Sequence, residues 1–172
     1  MISLILKKIN SFDKNNEITQ EVYDAFIDQL DIDELKCSCQ HDHCLSKHAY
    51  YHRKIKSCSG TLSLRVLRVK CSHCNRTHAI LLSSIIPYSQ ILFKQLLLIL
   101  KNPMHALDPL MISHDIDEAH LRAIKKKFSL HWKKRLLNMN LDLNEQLSSF
   151  CFLYFKRQFM QIRNTINIPF YL

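Results

Sequence analysis

A chain of 172 residues with 47% hydrophobic content can bury a core in one domain or two small ones, and its formal net charge of +9 points toward acidic partners. A single glycine excludes the glycine-rich phosphate cradles of Walker and Rossmann nucleotide enzymes. Seven cysteines, an odd number of which five fall in two short clusters, argue against a secreted disulfide scaffold. The opening Met1–Lys8 carries its charges after its apolar run, the reverse of a secretory signal. The longest apolar run, Ile91 to Leu100, contains Lys94 and Gln95 and is too short to span a membrane. We therefore expect a soluble, cytoplasmic protein with no membrane partner.

Residues 1–36 carry four Lys and eight acids, a net of −4. They begin with alternating Ile2, Leu4 and Leu6, then Ile9, which suits a short strand or an arm. Glu17 to Leu35 reads as an acidic helix with Val22, Phe26 and Leu30 on one side and Ile27 beside them, broken or bent at Asp31-Ile32-Asp33. It packs on the segment that follows or occupies a partner surface, packing being the expectation.

Residues 37–84 hold Cys37-Ser38-Cys39-Gln40-His41-Asp42-His43-Cys44 and, 26 residues later, Cys71-Ser72-His73-Cys74. Two cysteine pairs flanking a hairpin are what a zinc ribbon needs: each turn aims two sulfurs inward, and four thiolates close a tetrahedral, structural site. Cys39, Cys44, Cys71 and Cys74 are the expected ligands, with Cys37 as the alternate; His41, His43 and His73 are within reach. Unrelated free cysteines are the alternative. Ser59-Gly60 marks a hairpin turn. Thr61 to Lys70 reads as a strand whose apolar phase changes at Val66-Leu67, through a bulge or through partial cover on both faces. Thr77 to Leu82 would supply a third strand. The segment carries eight basic residues and one acid. Arg53, Lys54 and Lys56 on one strand, Arg65, Arg68 and Lys70 on the next, and Arg76 after the second turn, interleaved with Tyr50 and Tyr51, suit phosphate contact and base stacking. A solvated basic surface with no partner is the plain alternative.

Residues 85–172 read as helical, with twelve basic and six acidic side chains. Pro87 suits a first helical turn. Ile91 to Leu100, apolar on nearly all sides, is expected to be buried, in the fold or in a homodimer interface, and Asn102-Pro103 ends it. A short helix around Ala106 to Ile112 follows. Asp115 with Glu118 resembles a capping box opening the next helix, whose buried stripe is Ile116, Ala119, Ala123, Ile124, Phe128 and Trp132. Arg122, Lys125, Lys126 and Lys127 crowd that helix. The three helices suit either a DNA-reading helix-turn-helix or a plain bundle with a solvated basic face. A final helix is expected over about Glu145 to Arg163, and the tail Ile168 to Leu172 is unassigned. The fold class is thus α+β, a small three-stranded zinc ribbon followed by a helical region, in three parts: 1–36, 37–84 and 85–172.

Four stretches stand in a fixed order: His48-Ala49-Tyr50-Tyr51-His52-Arg53, Leu64-Arg65-Val66-Leu67-Arg68-Val69-Lys70-Cys71, Cys74-Asn75-Arg76-Thr77-His78-Ala79 and Ile86-Pro87-Tyr88-Ser89. Together they resemble a bacterial family of transposase-like zinc-ribbon proteins of unknown function, and the zinc ribbon plus helix-turn-helix that opens certain insertion-sequence transposases. The resemblance covers about residues 30 to 95, and the later helices loosely. Ala49 and Asn75 stand where that family has Gly, changes a turn tolerates. The resemblance implies DNA association in a mobile-element context.

Three functions remain open. The leading one is a zinc-stabilised DNA-binding protein, an accessory or regulatory relative of a transposase, working alone or beside a separate catalytic subunit. The second is a protein-interaction module scaffolded by zinc, with nonspecific nucleic-acid affinity. The third is an enzyme, for which no catalytic constellation is visible: the carboxylates of a two-metal DNA-cutting site are too few, and nothing singles out Cys58 or Cys151 as a nucleophile.

Overall fold

A computed structural model of the chain describes residues 18–37, 39–57, 60–155 and 158–160. The expected arm at 1–12, Cys58, Ser59 and the tail at 168–172 lie outside the described residues. The fold is α+β. Helix α1 (Gln20–Asp28) precedes β1 (Leu45–Ser57), β2 (Gly60–Cys71) and β3 (Thr77–Ala79). Then come α2 (Phe93–Lys101), a 3₁₀ turn (Met104–Leu107), α3 (Asp108–His114), α4 (Glu118–His131), α5 (Lys133–Asn138) and α6 (Leu147–Phe155). The strands form one antiparallel sheet in the order β1-β2-β3, with Arg68 opposite Ala79, Val69 opposite His78 and Lys70 opposite Thr77. The described residues divide into two compact units: those up to Arg53 with Ser63–Ser83, and Lys54–Leu62 with the described residues from Ser84 on.

In the first unit, Thr19 caps α1 by accepting the Val22 amide at 3.3 Å. The helix ends at Asp28, seven residues short of the expected end, and its buried stripe is Tyr23, Phe26 and Ile27. Both stripes fit a helical period; the observed one places a hydroxyl inside. Tyr23 donates to the Ile80 carbonyl at 2.8 Å and accepts the Leu67 amide at 2.9 Å. Gln20 accepts the Arg65 amide at 2.7 Å. Strand β3 is only three residues long, and α1 supplies the partners that β2 lacks beyond it. The phase change at Val66-Leu67 is therefore cover on both faces. Leu64, Val66, Leu67, Val69 and Cys71 are all fully buried, while Arg65 and Arg68 are exposed on opposite faces. Gly60 opens β2 with φ +114°, a conformation that L side chains rarely adopt.

In the second unit, Pro87 sits in a turn, and the helix opens only at Phe93, after Ile85 bridges Leu92. Phe93, Leu96, Leu97 and Ile99 are buried as expected, but Leu98 faces out. The stripe of α4 runs through Leu121, Ile124 and the half-buried Phe128; Ala119 and Ala123 are exposed. Asp117, not Asp115, caps α4, accepting the His120 amide at 2.6 Å. The core centres on Trp132, with Phe155 and Phe159 edge-on at 5.7 and 5.3 Å. Helix α6 is shorter than expected, and Phe159 reaches the core from the turn beyond it. No described helix is long and apolar enough to cross a membrane.

Candidate metal centre and basic surfaces

Two turns bring the cysteines together. In the first, the Gln40 amide donates to the Cys37 carbonyl at 2.9 Å, and Gln40 and His43 take positive φ. In the second, the Asn75 amide donates to the Cys71 carbonyl at 3.0 Å with Asn75 at φ 57°, a left-handed conformation that asparagine tolerates. The Cys74 amide points at the Cys71 sulfur at 3.4 Å. The Ser72 amide joins the turns by donating to the Cys44 carbonyl at 2.8 Å.

The sulfurs of Cys37, Cys39, Cys44 and Cys71 all lie within 4.8 Å of one another. The Cys39–Cys71 separation is 3.6 Å, and Cys74 meets Cys37 at 3.5 Å. These distances exclude disulfides, whose sulfurs sit about 2.05 Å apart. They approach the edge of about 3.8 Å that a tetrahedron with metal–sulfur bonds of about 2.3 Å requires. The cluster therefore fits a thiophilic metal ion. All five expected cysteines converge; the mutually close four include Cys37, and Cys74 joins through Cys37. His41 and His73 group with Cys39, whereas His43 falls in neither cluster.

His78 adds a buried nitrogen, its Nε2 3.3 Å from the Cys37 sulfur. It is 2% exposed, and its Nδ1 has no hydrogen-bond partner among the described residues. Only the alternation of β3 places it there, and no spacing in the sequence marks it.

The electrostatics suit the receipt of a cation. Burial pushes the Cys37 thiol well above its usual range, and burial followed by the neighbouring Cys71 pushes Cys44 up to about 11. Burial also opposes ionisation of Cys71, but the Cys74 amide and the thiols of Cys44 and Cys37 outweigh it and bring Cys71 down to about 6. The His41 amide lowers the Cys39 thiol as well, so two sulfurs of the cluster are biased toward the thiolate. An ion would displace the remaining protons and gain a closed sulfur shell.

The basic residues divide into distinct groups. Arg65 lies over the Tyr50 ring at 4.7 Å and Arg68 over Tyr51 at 4.4 Å, one pair on each face of the hairpin. Lys54 and Arg76 are exposed, and Arg53 and Lys70 are half-buried. Lys56 reaches both the carbonyl and the carboxylate of Asp115. On α4, Arg122 pairs with Glu118, and Lys125 turns back to the Asn102 carbonyl at the end of α2. Lys126 and Lys127 are exposed.

Fold and site together define an α+β protein with a cysteine–histidine cluster suited to a metal. No family model, no curated protein and no solved structure matches this chain.

Proposed function

We propose that this chain is a zinc-stabilised DNA-binding protein, a transposase-like accessory or regulatory protein of a mobile element, working beside a separate catalytic subunit. The observation that carries the reading is the junction of α3 and α4. The two helices are joined by three residues, Asp115-Ile116-Asp117. Asp115 is left-handed at φ 49° and ψ 50°, the conformation glycine usually supplies in a helix-turn-helix. Ile116, Leu121 and Ile124 anchor the turn and the following helix in the core. The outer face of α4 is left with Arg122, Lys126 and Lys127, a surface that suits a phosphate backbone. Zinc is the ion that best suits a closed four-sulfur shell in a small domain.

Binding of zinc-loaded protein to labelled duplex DNA across a salt series tests this. Tight binding with a steep salt slope is expected, with both affinity and slope reduced in K126Q/K127Q. Binding no stronger than that of an unrelated basic protein of the same charge would overturn it. A second reading, an adaptor that assembles through apolar helices into a homodimer, is favoured by Leu130 and Leu137, which are 67% and 69% exposed. It predicts a specific oligomer that L130E/L137E dissolves.

A further inference from the structure

We propose that His78 is a positioning residue of the metal centre, its Nε2–H donating to the Cys37 sulfur and fixing that sulfur in the shell around the ion. The inference rests on the reading that the clustered sulfurs hold zinc, and deepens it. His78 Nε2 lies 3.3 Å from the Cys37 sulfur. Cys37 is one of the four sulfurs within 4.8 Å of one another, whereas His78 belongs to neither group of mutually close donors. The imidazole therefore meets a single sulfur from outside the shell and does not share the centre with it.

The sheet holds the ring in this place. His78 stands opposite Val69 in the β2–β3 ladder. It is 2% exposed and Cys37 is 1% exposed, so solvent serves neither group. A neutral imidazole carries one proton, on Nδ1 or on Nε2. Nδ1 has no hydrogen-bond partner among the described residues. A proton there would be a buried donor with no acceptor, whereas a proton on Nε2 faces the sulfur. A metal-bound cysteine is a thiolate and accepts only, so binding of an ion selects the Nε2–H form. Four thiolates around a divalent ion leave excess negative charge in a buried site. A charge-assisted N–H···S bond from outside the shell offsets part of it. Outer-shell donors of this kind set the orientation of a ligand and the affinity of its site.

NMR of the full chain loaded with ¹¹³Cd²⁺ tests the assignment without a variant. His78 is expected to keep its ring proton on Nε2, exchanging slowly with solvent and showing a scalar coupling to cadmium through the hydrogen bond. A proton on Nδ1, or a direct coupling between Nε2 and cadmium, would overturn the proposal, the second by making His78 a ligand. Chelator competition with zinc supplies the energetic arm. H78L removes the donor and should bind zinc about 10–100-fold more weakly, while keeping the Co²⁺ spectrum of a four-sulfur site. H78Q, whose amide can still donate, should recover part of the loss. Wild-type affinity in H78L would overturn the proposal and leave the sulfur site intact. No metal bound by wild type would overturn the zinc reading itself.

Discussion

The hydroxyl of Tyr23 hydrogen-bonds the carbonyl of Ile80, 57 residues away, at 2.8 Å. The same oxygen takes the Leu67 amide, so one side chain satisfies two buried backbone groups just beyond the last pair of the β2–β3 ladder. Burial raises the Tyr23 phenol well above its ordinary range, so it stays protonated and keeps donating at any physiological pH. Tyr23→Phe strands both groups and should cost about 1–3 kcal/mol, the usual penalty for a buried unsatisfied polar atom. Chemical denaturation of the metal-loaded protein measures it. A loss within error would mean that water replaces the hydroxyl.

Metal removal should separate the cysteines into two classes. If the clustered thiols hold an ion, a chelator should open Cys37, Cys39, Cys44, Cys71 and Cys74 to alkylation. Cys151 is fully buried in the helical core, and burial alone pushes its thiol up to about 12. It should stay unmodified until that core unfolds. Peptide mapping by mass spectrometry decides this, and early labelling of Cys151 would contradict the buried placement of α6.

His78 should make the protein acid-sensitive. Burial, with Arg76 adding to it, lowers His78 to about 4 from an ordinary value of 6.5. Below 6.5 the unfolded chain binds a proton that the folded chain refuses, so stability falls as pH drops from about 6.5 to about 4 and levels off below. His78→Gln removes this titration and should flatten the pH profile relative to wild type across that window. Both profiles are taken on metal-free protein, because His78 touches Cys37 and its replacement would also alter metal release in acid. Parallel profiles would show that His78 titrates normally.

The helical core has a single tryptophan to test it. Trp132→Ala should cost about 3–5 kcal/mol, as other large-to-small core changes do. Trp132→Phe should cost much less. Among the described residues the buried indole N–H has no hydrogen-bond partner, and phenylalanine removes that orphan along with some volume. Urea unfolding of both variants makes the comparison. A Phe variant as damaged as the Ala variant would point to a hydrogen bond from the indole.

What the sequence showed and what it hid follow from the range of the interactions. The two cysteine turns are local, so spacing alone located the cluster. Whether Cys37 or Cys74 completes a set with Cys39, Cys44 and Cys71 depends on how two distant turns meet, and spacing carries no such information. Phe26 and Ile27 of α1 are legible from the helical period, but that Tyr23 rather than Val22 or Leu30 completes the buried stripe is not, because all three fit that period. The deciding contacts, with Leu67 and Ile80, lie more than forty residues away. The strand's phase change was visible at Val66-Leu67, but that it sends Arg65 and Arg68 to opposite faces needed the pairing. No glycine marks the α3–α4 turn, because Asp115 takes the left-handed conformation itself.

Adjacent lysines on α4 should respond in opposite ways. Lys125 and Lys126 look alike in the sequence, but the Lys125 ammonium is held by the Asn102 carbonyl, and burial lowers its pKa, while Lys126 is exposed. Lys56 resembles Lys125: its side chain is 19% exposed and tied to Asp115 in the α3–α4 turn. If α4 contacts duplex DNA, Lys126→Gln should flatten the log–log salt slope by about one counterion and leave thermal stability unchanged. Lys125→Gln and Lys56→Gln should instead lower the melting temperature, by freeing the end of α2 and the α3–α4 turn, and leave the slope nearly as it was. Salt-series binding and thermal melts of the three variants side by side give the answer. If all three shift the slope equally, the basic residues act only as a diffuse positive surface, and the adaptor reading gains the ground that the helix-turn-helix reading loses.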